Sequence, residues 1–397
     1  MQKKIFSKLL PLLLISSILL AACSTAVAPT QPPAVADTSE PIVEEPATEV
    51  PATPPTEVPI VEPTEPQTIT ITDSAGNVVE LPELPQRVVI AGKATPFTLS
   101  TTYLFEEASD RVVAQEVRGL TIPEFLSLID PKYEEKTKLE MDSSAEQIAP
   151  VDPDIVITKN YAVKSLKEPL GKLGIPVVGL DMETPEAFYK DIEMLGQLFG
   201  APERAVEINE YMQNKVSLVQ EAMTGITDEE KPTVLVIQYS EKDGEVAFKV
   251  PPKSYIQTRM VMDGGGIPVW TEGLAEETDW IVVNLEQIAV WNPDIIFVID
   301  YKGNPTETAT KLMENATWQE LNATKNQKVY GFGKDYQGWD LPDPRWVLGY
   351  TWTATKIQPE RMAGVDMNEM IIEFYKFMYR LTDEQIETSI MPSVVAP

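Results

Sequence analysis

Three tyrosines stand directly beyond strand-like apolar runs: Tyr161 after 154–158, Tyr239 after 233–238 and Tyr301 after 294–300. With them come Lys93 beyond 87–91, Lys159 and Asn160 beside Tyr161, and Trp339 and Arg345 beyond 328–332. Ligands of open α/β sheets sit beyond the carboxyl ends of strands, so these positions are the candidate ligand contacts. Aromatic faces bury ring surface and cations meet negative charge, a combination that suits non-covalent capture of a bulky, often anionic metal chelate. Covalent chemistry lacks its parts. The 397 residues include no histidine and one cysteine. That removes imidazole bases, Ser-His-Asp and Cys-His arrangements, His-ligated metals, an internal disulfide and iron–sulfur clusters. Direct capture of a bare divalent cation is disfavoured for the same reason. An extracytoplasmic enzyme would be left with Ser-Lys or carboxylate chemistry, and no Gly-x-Ser-x-Gly elbow occurs. No catalytic residue is assigned. A formal charge of −29 without a basic patch argues against nucleic acid.

The elements that must position these residues alternate. Strand-like runs at 87–91, 111–114, 154–158 and 175–180 have helical patterns between them, and 233–238, 294–300 and 328–332 repeat the scheme. Strands alternating with helices predict parallel, helix-covered sheets, here in two α/β lobes. Runs at 68–72 and 78–81, joined by Ala75-Gly76-Asn77, predict a hairpin ahead of them. Between the halves, Thr184-Pro185-Glu186 reads as an N-cap with proline in the first turn, and Gly200-Ala201-Pro202 restarts a helix to about Met223. That helix would be about 33 Å long, enough to join two lobes. An internal repeat supports like topology in both: Glu146-Gln147-Ile148-Ala149 with Pro153-Asp154-Ile155 returns as Glu286-Gln287-Ile288-Ala289 with Pro293-Asp294-Ile295. Met260, Met262, Met367, Met370 and Met378 fall at helical spacing and are expected in cores, and Gly264-Gly265-Gly266 reads as a helix-ending turn.

Residues 1–22 carry Lys3, Lys4 and Lys8, an apolar stretch and then Leu20-Ala21-Ala22 before Cys23, the pattern of a secretory signal. The tetrad resembles a bacterial lipobox, in which Cys23 would be lipidated and become the first mature residue. Residues 23–66 are rich in Pro, Thr and Glu without Lys or Arg beyond Cys23, and read as a tether. The expected body is then an N-terminal lobe over 67–183, a helical region over 184–224 and a C-terminal lobe over 225–397. The protein would be extracytoplasmic, held to the bacterial cell membrane by its N-terminal lipid and otherwise free of covalent cofactors.

Thr68-Ile69-Thr70-Ile71-Thr72-Asp73, then Gly76 and Leu84-Pro85-Gln86-Arg87-Val88-Val89, resemble the opening of the substrate-binding lipoproteins of iron-siderophore and cobalamin ABC importers. Asp152-Pro153-Asp154-Ile155-Val156-Ile157, Leu173-Gly174-Ile175-Pro176-Val177-Val178 and Asn292-Pro293-Asp294-Ile295-Ile296-Phe297 resemble the family's later strand entries. The resemblance covers about 67–381, and within it 248–254 resembles the family loop that faces the cleft before a helix, which makes Lys249 a candidate ligand contact. It implies two Rossmann-like lobes joined by one long helix, with the ligand cleft between them. It also implies delivery to a permease dimer driven by a cytoplasmic ATPase, with one glutamate per lobe docking to permease arginines; the matching positions are Glu146 and Glu286. The expected ligand is a ferric siderophore, cobalamin or haem, bound by a monomer. A molybdate or tungstate receptor of the same architecture and an enzyme on the same fold are the alternatives.

Overall fold

The computed structural model describes residues 68–119, 122–272 and 279–395. The signal, Cys23 and the tether lie outside the described residues. The chain opens with β1 (Ile69–Thr72) and β2 (Val78–Leu81), an antiparallel hairpin turned at Gly76, whose φ of 77° suits glycine. Asp73 closes that turn by accepting the Asn77 N–H at 2.7 Å, and its other oxygen accepts the Gly179 N–H at 2.9 Å. The hairpin is thereby pinned to the N-terminal lobe.

That lobe is built on β3 (Val88–Ile90), β4 (Val112–Glu116), β5 (Thr137–Leu139), β6 (Ile155–Lys159) and β7 (Val177–Leu180). They form one parallel sheet in the order β5-β4-β3-β6-β7. Its central strands are buried on both faces, which is why they read as unbroken apolar runs: Val88 and Ile90 face one core, Val89 and Ala91 the other. The C-terminal lobe has β8 (Thr233–Lys242), β9 (Glu245–Val250), β10 (Ile267–Pro268), β11 (Ile281–Val283), β12 (Ile295–Ile299) and β13 (Val329–Gly331). Here β8, β12 and β13 are parallel, while β9 and β11 continue the other edge antiparallel and β10 pairs the start of β8. The stretch 248–254, expected as a loop, thus begins inside β9, and β8 runs four residues past its expected end into a hairpin with β9.

The repeat has a structural meaning. In each lobe a short helix ends on a residue in the left-handed region, Asp152 at φ 55° and Asn292 at φ 40°, and Pro-Asp leads into the strand. Asp154 Oδ2 accepts the N–H groups of Gln86 and Arg87 at 2.7 and 2.8 Å, and Asp294 Oδ2 accepts the Thr233 N–H at 2.9 Å. Each aspartate therefore fastens β6 or β12 to the start of its neighbour, β3 or β8.

Thr184 caps helix Pro185–Phe199, accepting the Ala187 N–H at 3.1 Å, and Gly200 ends it at φ 69°. Helix Pro202–Ala222 then crosses between the lobes. It is not the sole connection. Helix Met367–Tyr379 of the C-terminal lobe returns to the N-terminal one: Tyr379 Oη donates to Ser100 O at 3.2 Å, and Arg380 donates to Leu104 O and Tyr103 O at 2.9 and 3.0 Å. One apolar core runs through both lobes. Met260, Met367, Met370 and Met378 lie in it, but Met262 is 56% exposed, a correction to the expectation for that residue.

Candidate functional site

The floor of the cleft on the N-terminal side is the carboxyl end of β6 and β7. Lys159, the last residue of β6, is 1% exposed, and its Nζ donates to Glu183 Oε1 at 2.7 Å and to Asp181 O. The loop 181–183 after β7 is held from below. Asp191 Oδ2, on helix Pro185–Phe199, accepts the N–H groups of Asp181 and Met182 at 2.7 and 2.9 Å, and Met182 sits at φ 57°. Burial pushes the Asp191 carboxyl up to about 7, against the lowering by those two hydrogen bonds. Beyond β4, Arg118 meets Glu116 and Asp142, each at 2.6 Å, and donates to Gly92 O at 3.0 Å. Glu116 is wholly buried and also accepts the Gly92 and Asp142 N–H groups, so one carboxylate ties together the loops after β3, β4 and β5.

Asn160 and Tyr161 open helix Asn160–Gly171. Tyr161 is 56% exposed and, with exposed Lys93 and Glu146, lines a hollow of about 700 Å³ on the shoulder of the N-terminal lobe. Partial burial first, and then the Glu183 carboxylate, push the Tyr161 phenol up to about 12.

Across the cleft, Tyr301 follows β12 and donates to Asp340 Oδ2 at 2.6 Å. Burial raises the Asp340 carboxyl to about 6, and Gln257 Nε2 donates to its backbone O at 2.7 Å. Burial and then Glu183 also raise Tyr255, while burial, Asp340 and then Glu183 raise Tyr301. The glutamate of one lobe therefore acts on two phenols of the other. A hollow of about 260 Å³ spans the lobes where Thr184, Pro185 and Glu186 face Lys253, Ser254 and Arg259.

Several expected contacts lie elsewhere. Tyr239 is 7% exposed, bonded to Glu241 at 2.5 Å and packed on Phe248, at the edge of a hollow of about 310 Å³ that it shares with Tyr301 and Lys302. Lys249 is half-buried within β9, opposite Gln238 and Val282. Trp339 is fully buried, its Nε1 on Asp335 at 2.9 Å, with Gly333 and Gly349 leaving room for its ring and backbone. Arg345 is fully buried too: it pairs with Asp335 at 2.8 Å and Asp343 at 2.9 Å and lies 4.2 Å from the Phe125 ring of the other lobe. Trp339 is an interior group of the C-terminal lobe, Arg345 is an interior group that meets the other lobe at Phe125, and Lys159 is a buried support for Glu183; the reading of these three as lining is corrected. Sequence reasoning missed Arg118, Glu183 and Tyr255. The strand-end rule reaches Glu183 once it is applied to 175–180.

Glu146 lies in the first turn of helix Ala145–Ile148, started by a capping box at Ser144, and Glu286 in the first turn of helix Leu285–Trp291, capped by Asn284. Both are exposed, and among the described residues neither forms an ion pair. Among the described residues no group of three or more Asp, Glu, His or Cys is placed to hold a metal, and no helix is long and apolar enough to cross a membrane.

The sequence profile of the family described as Periplasmic binding protein matches residues 110–336, more than half of the chain. The chain is similar to the molybdate-binding protein MolA of Haemophilus influenzae, 22% identical over 59% of this chain and 69% of that protein. The solved structure of MolA with molybdate bound covers 79% of this chain and 98% of its own, with a TM-score of 0.64 at 18% identity, a likeness of fold. The uncharacterized ABC transporter substrate-binding lipoprotein YvrC of Bacillus subtilis is 24% identical over 74% of this chain and 86% of that protein. The petrobactin-binding protein YclQ of the same organism is 26% identical over 64% and 76%.

Proposed function

The chain belongs to the periplasmic binding protein family, and from that premise we propose that it is the lipid-anchored substrate-binding component of an ABC importer for a chelated metal. The observation that carries the ligand class is the gap between the lobes, where Tyr161 stands 56% exposed on one side and Tyr255 is half-buried on the other, with the Glu183 carboxylate raising the phenol of each. Rings entering from both lobes present broad faces to a ligand larger than a simple ion. Similarity to a petrobactin-binding protein supports a chelate, and similarity to a substrate-binding lipoprotein supports the importer and the lipid on Cys23. In this reading Glu146 and Glu286 dock to arginines of the permease, because both are exposed, equivalently placed and unpaired within the described residues. It assigns no catalytic residue.

A second reading, an oxyanion receptor, is favoured by the similarity to MolA in sequence and fold. Thermal-shift titration separates the two. At 100 times its dissociation constant a ligand adds about 2.7 kcal/mol, a rise of roughly 4 °C or less for a body of this size. A shift with a ferric siderophore, haem or cobalamin supports the first reading; a shift with molybdate or tungstate alone supports the second.

A further inference from the structure

We propose that Glu183 is the specificity-determining residue of the cleft, and that its ligand is a cationic or donor-edged neutral complex, not a bare oxyanion. This rests on the receptor reading above and names the class of its ligand. The carboxylate is built in. Lys159 holds one oxygen at 2.7 Å, and among the described residues the other oxygen accepts no hydrogen bond. The side chain keeps 28% of its surface exposed, at the carboxyl end of β7 where the family fold places ligand. Its backbone is equally fixed, through the Asp191 bonds to Asp181 and Met182 and the left-handed φ of Met182. A strained, doubly anchored loop that presents a half-paired carboxylate is a prepared acceptor.

An oxyanion site needs the reverse, donors without partners. The two enclosed cations on this side are already engaged. Lys159 is 1% exposed and directed at Asp181 O and Glu183, and Arg118 divides its guanidinium between Glu116 and Asp142. Three carboxylates against two cations leave this floor negative. Opposite, the Tyr301 hydroxyl gives its proton to Asp340, so its oxygen can only accept. Lys93 and Lys253 stand at the exposed rim, where water screens them. A ligand that buried Glu183 without supplying a donor would leave its charge uncompensated, which is strongly unfavourable.

Calorimetric titration of the full mature chain with four probes tests this: sodium molybdate, an anionic ferric tris-catecholate, a ferric trishydroxamate bearing a terminal ammonium, and neutral, amide-edged cyanocobalamin. The expected result is that the trishydroxamate or cyanocobalamin binds most tightly, and that Glu183→Gln, whose amide oxygen can still accept from Lys159, folds with a lowered melting temperature and weakens that probe by roughly tenfold or more. Tighter binding of molybdate or the tris-catecholate overturns the inference and leaves the receptor reading standing, as does an unchanged Kd in folded Glu183→Gln. Should Glu183→Gln fail to fold, the ranking of the four probes on the wild-type chain decides alone. Binding of none of the four overturns the inference, and the receptor reading falls with it if haem and tungstate also fail to bind.

Discussion

At Asp191 one buried carboxylate holds two backbone N–H groups and has its proton affinity raised to about 7 by burial. An unfolded aspartate loses its proton near 3.8. Between those values the folded chain binds more protons than the unfolded one, so stability falls as pH rises from about 4 to about 7 and is flat beyond. Asp340, raised to about 6, acts in the same direction over the lower part of that window. Asp191→Asn keeps an oxygen acceptor without the titration, so its melting temperature should fall less between pH 5 and 8 than that of the wild type; parallel profiles would contradict this. A second prediction concerns Glu146 and Glu286. If they dock the permease as proposed, replacing both by lysine should abolish uptake while ligand affinity stays unchanged, since their charge is reversed and Glu183 and the cleft tyrosines are kept. The same scale shows what sequence could and could not tell about the site. Tyr301 stands directly beyond β12, as its place after an apolar run implies, and borders a hollow with Lys302. Arg345 carries the same positional signal, yet Asp335 and Asp343 draw it inward, and no local pattern says which way that loop turns.

Asp154 and Asp294 make the same joint in both lobes, but with different burial. Asp294 also accepts the Thr233 hydroxyl at 2.7 Å and is half-buried, while the side chain of Asp154 is exposed. Asp294→Ala should cost about 1.5–3 kcal/mol in urea unfolding, the range for hydrogen bonds to a charged group, and Asp154→Ala less. Equal losses would mean that water replaces neither bond. Elements of this kind are legible because their signals are local: the repeated Pro-Asp, the Thr184 cap and the doubly buried apolar runs. Sequence reading passed over β5, β9, β10 and β11; β5 and β11 are three-residue edge strands and β10 has two residues. Two of the three residues of β5 are exposed and polar, while β11, though apolar throughout as Ile281-Val282-Val283, has only three residues and leaves Val282 67% exposed. β9 exists because β8 extends past the sheet and turns back, a pairing that only the partner strand makes visible.

Two lobes joined by a single helix could unfold and move separately; these two share a core and a buried charged joint. Arg345 brings Asp335 and Asp343 together beneath Phe125, and Tyr375 Oη donates to Asp335 at 2.6 Å. Around it Phe125 packs on Tyr336 and Tyr379, from opposite lobes, with centroids 5.6 and 5.3 Å apart. Arg204 adds bonds from the crossing helix to Leu104 O and Phe377 O. An interface so enclosed favours small adjustments of the cleft loops over a wide hinge, because opening it would expose those rings and the buried charges of the C-terminal lobe that Phe125 covers. The expectation is one cooperative urea transition for both lobes, with the radius of gyration nearly unchanged on ligand binding. Arg345→Met removes the cation and leaves two buried aspartates facing each other, so it should cost about 3–5 kcal/mol. If the joint is what couples the lobes, the same substitution should also split the single transition into two; loss of stability with one transition retained would assign the coupling to the continuous apolar core instead.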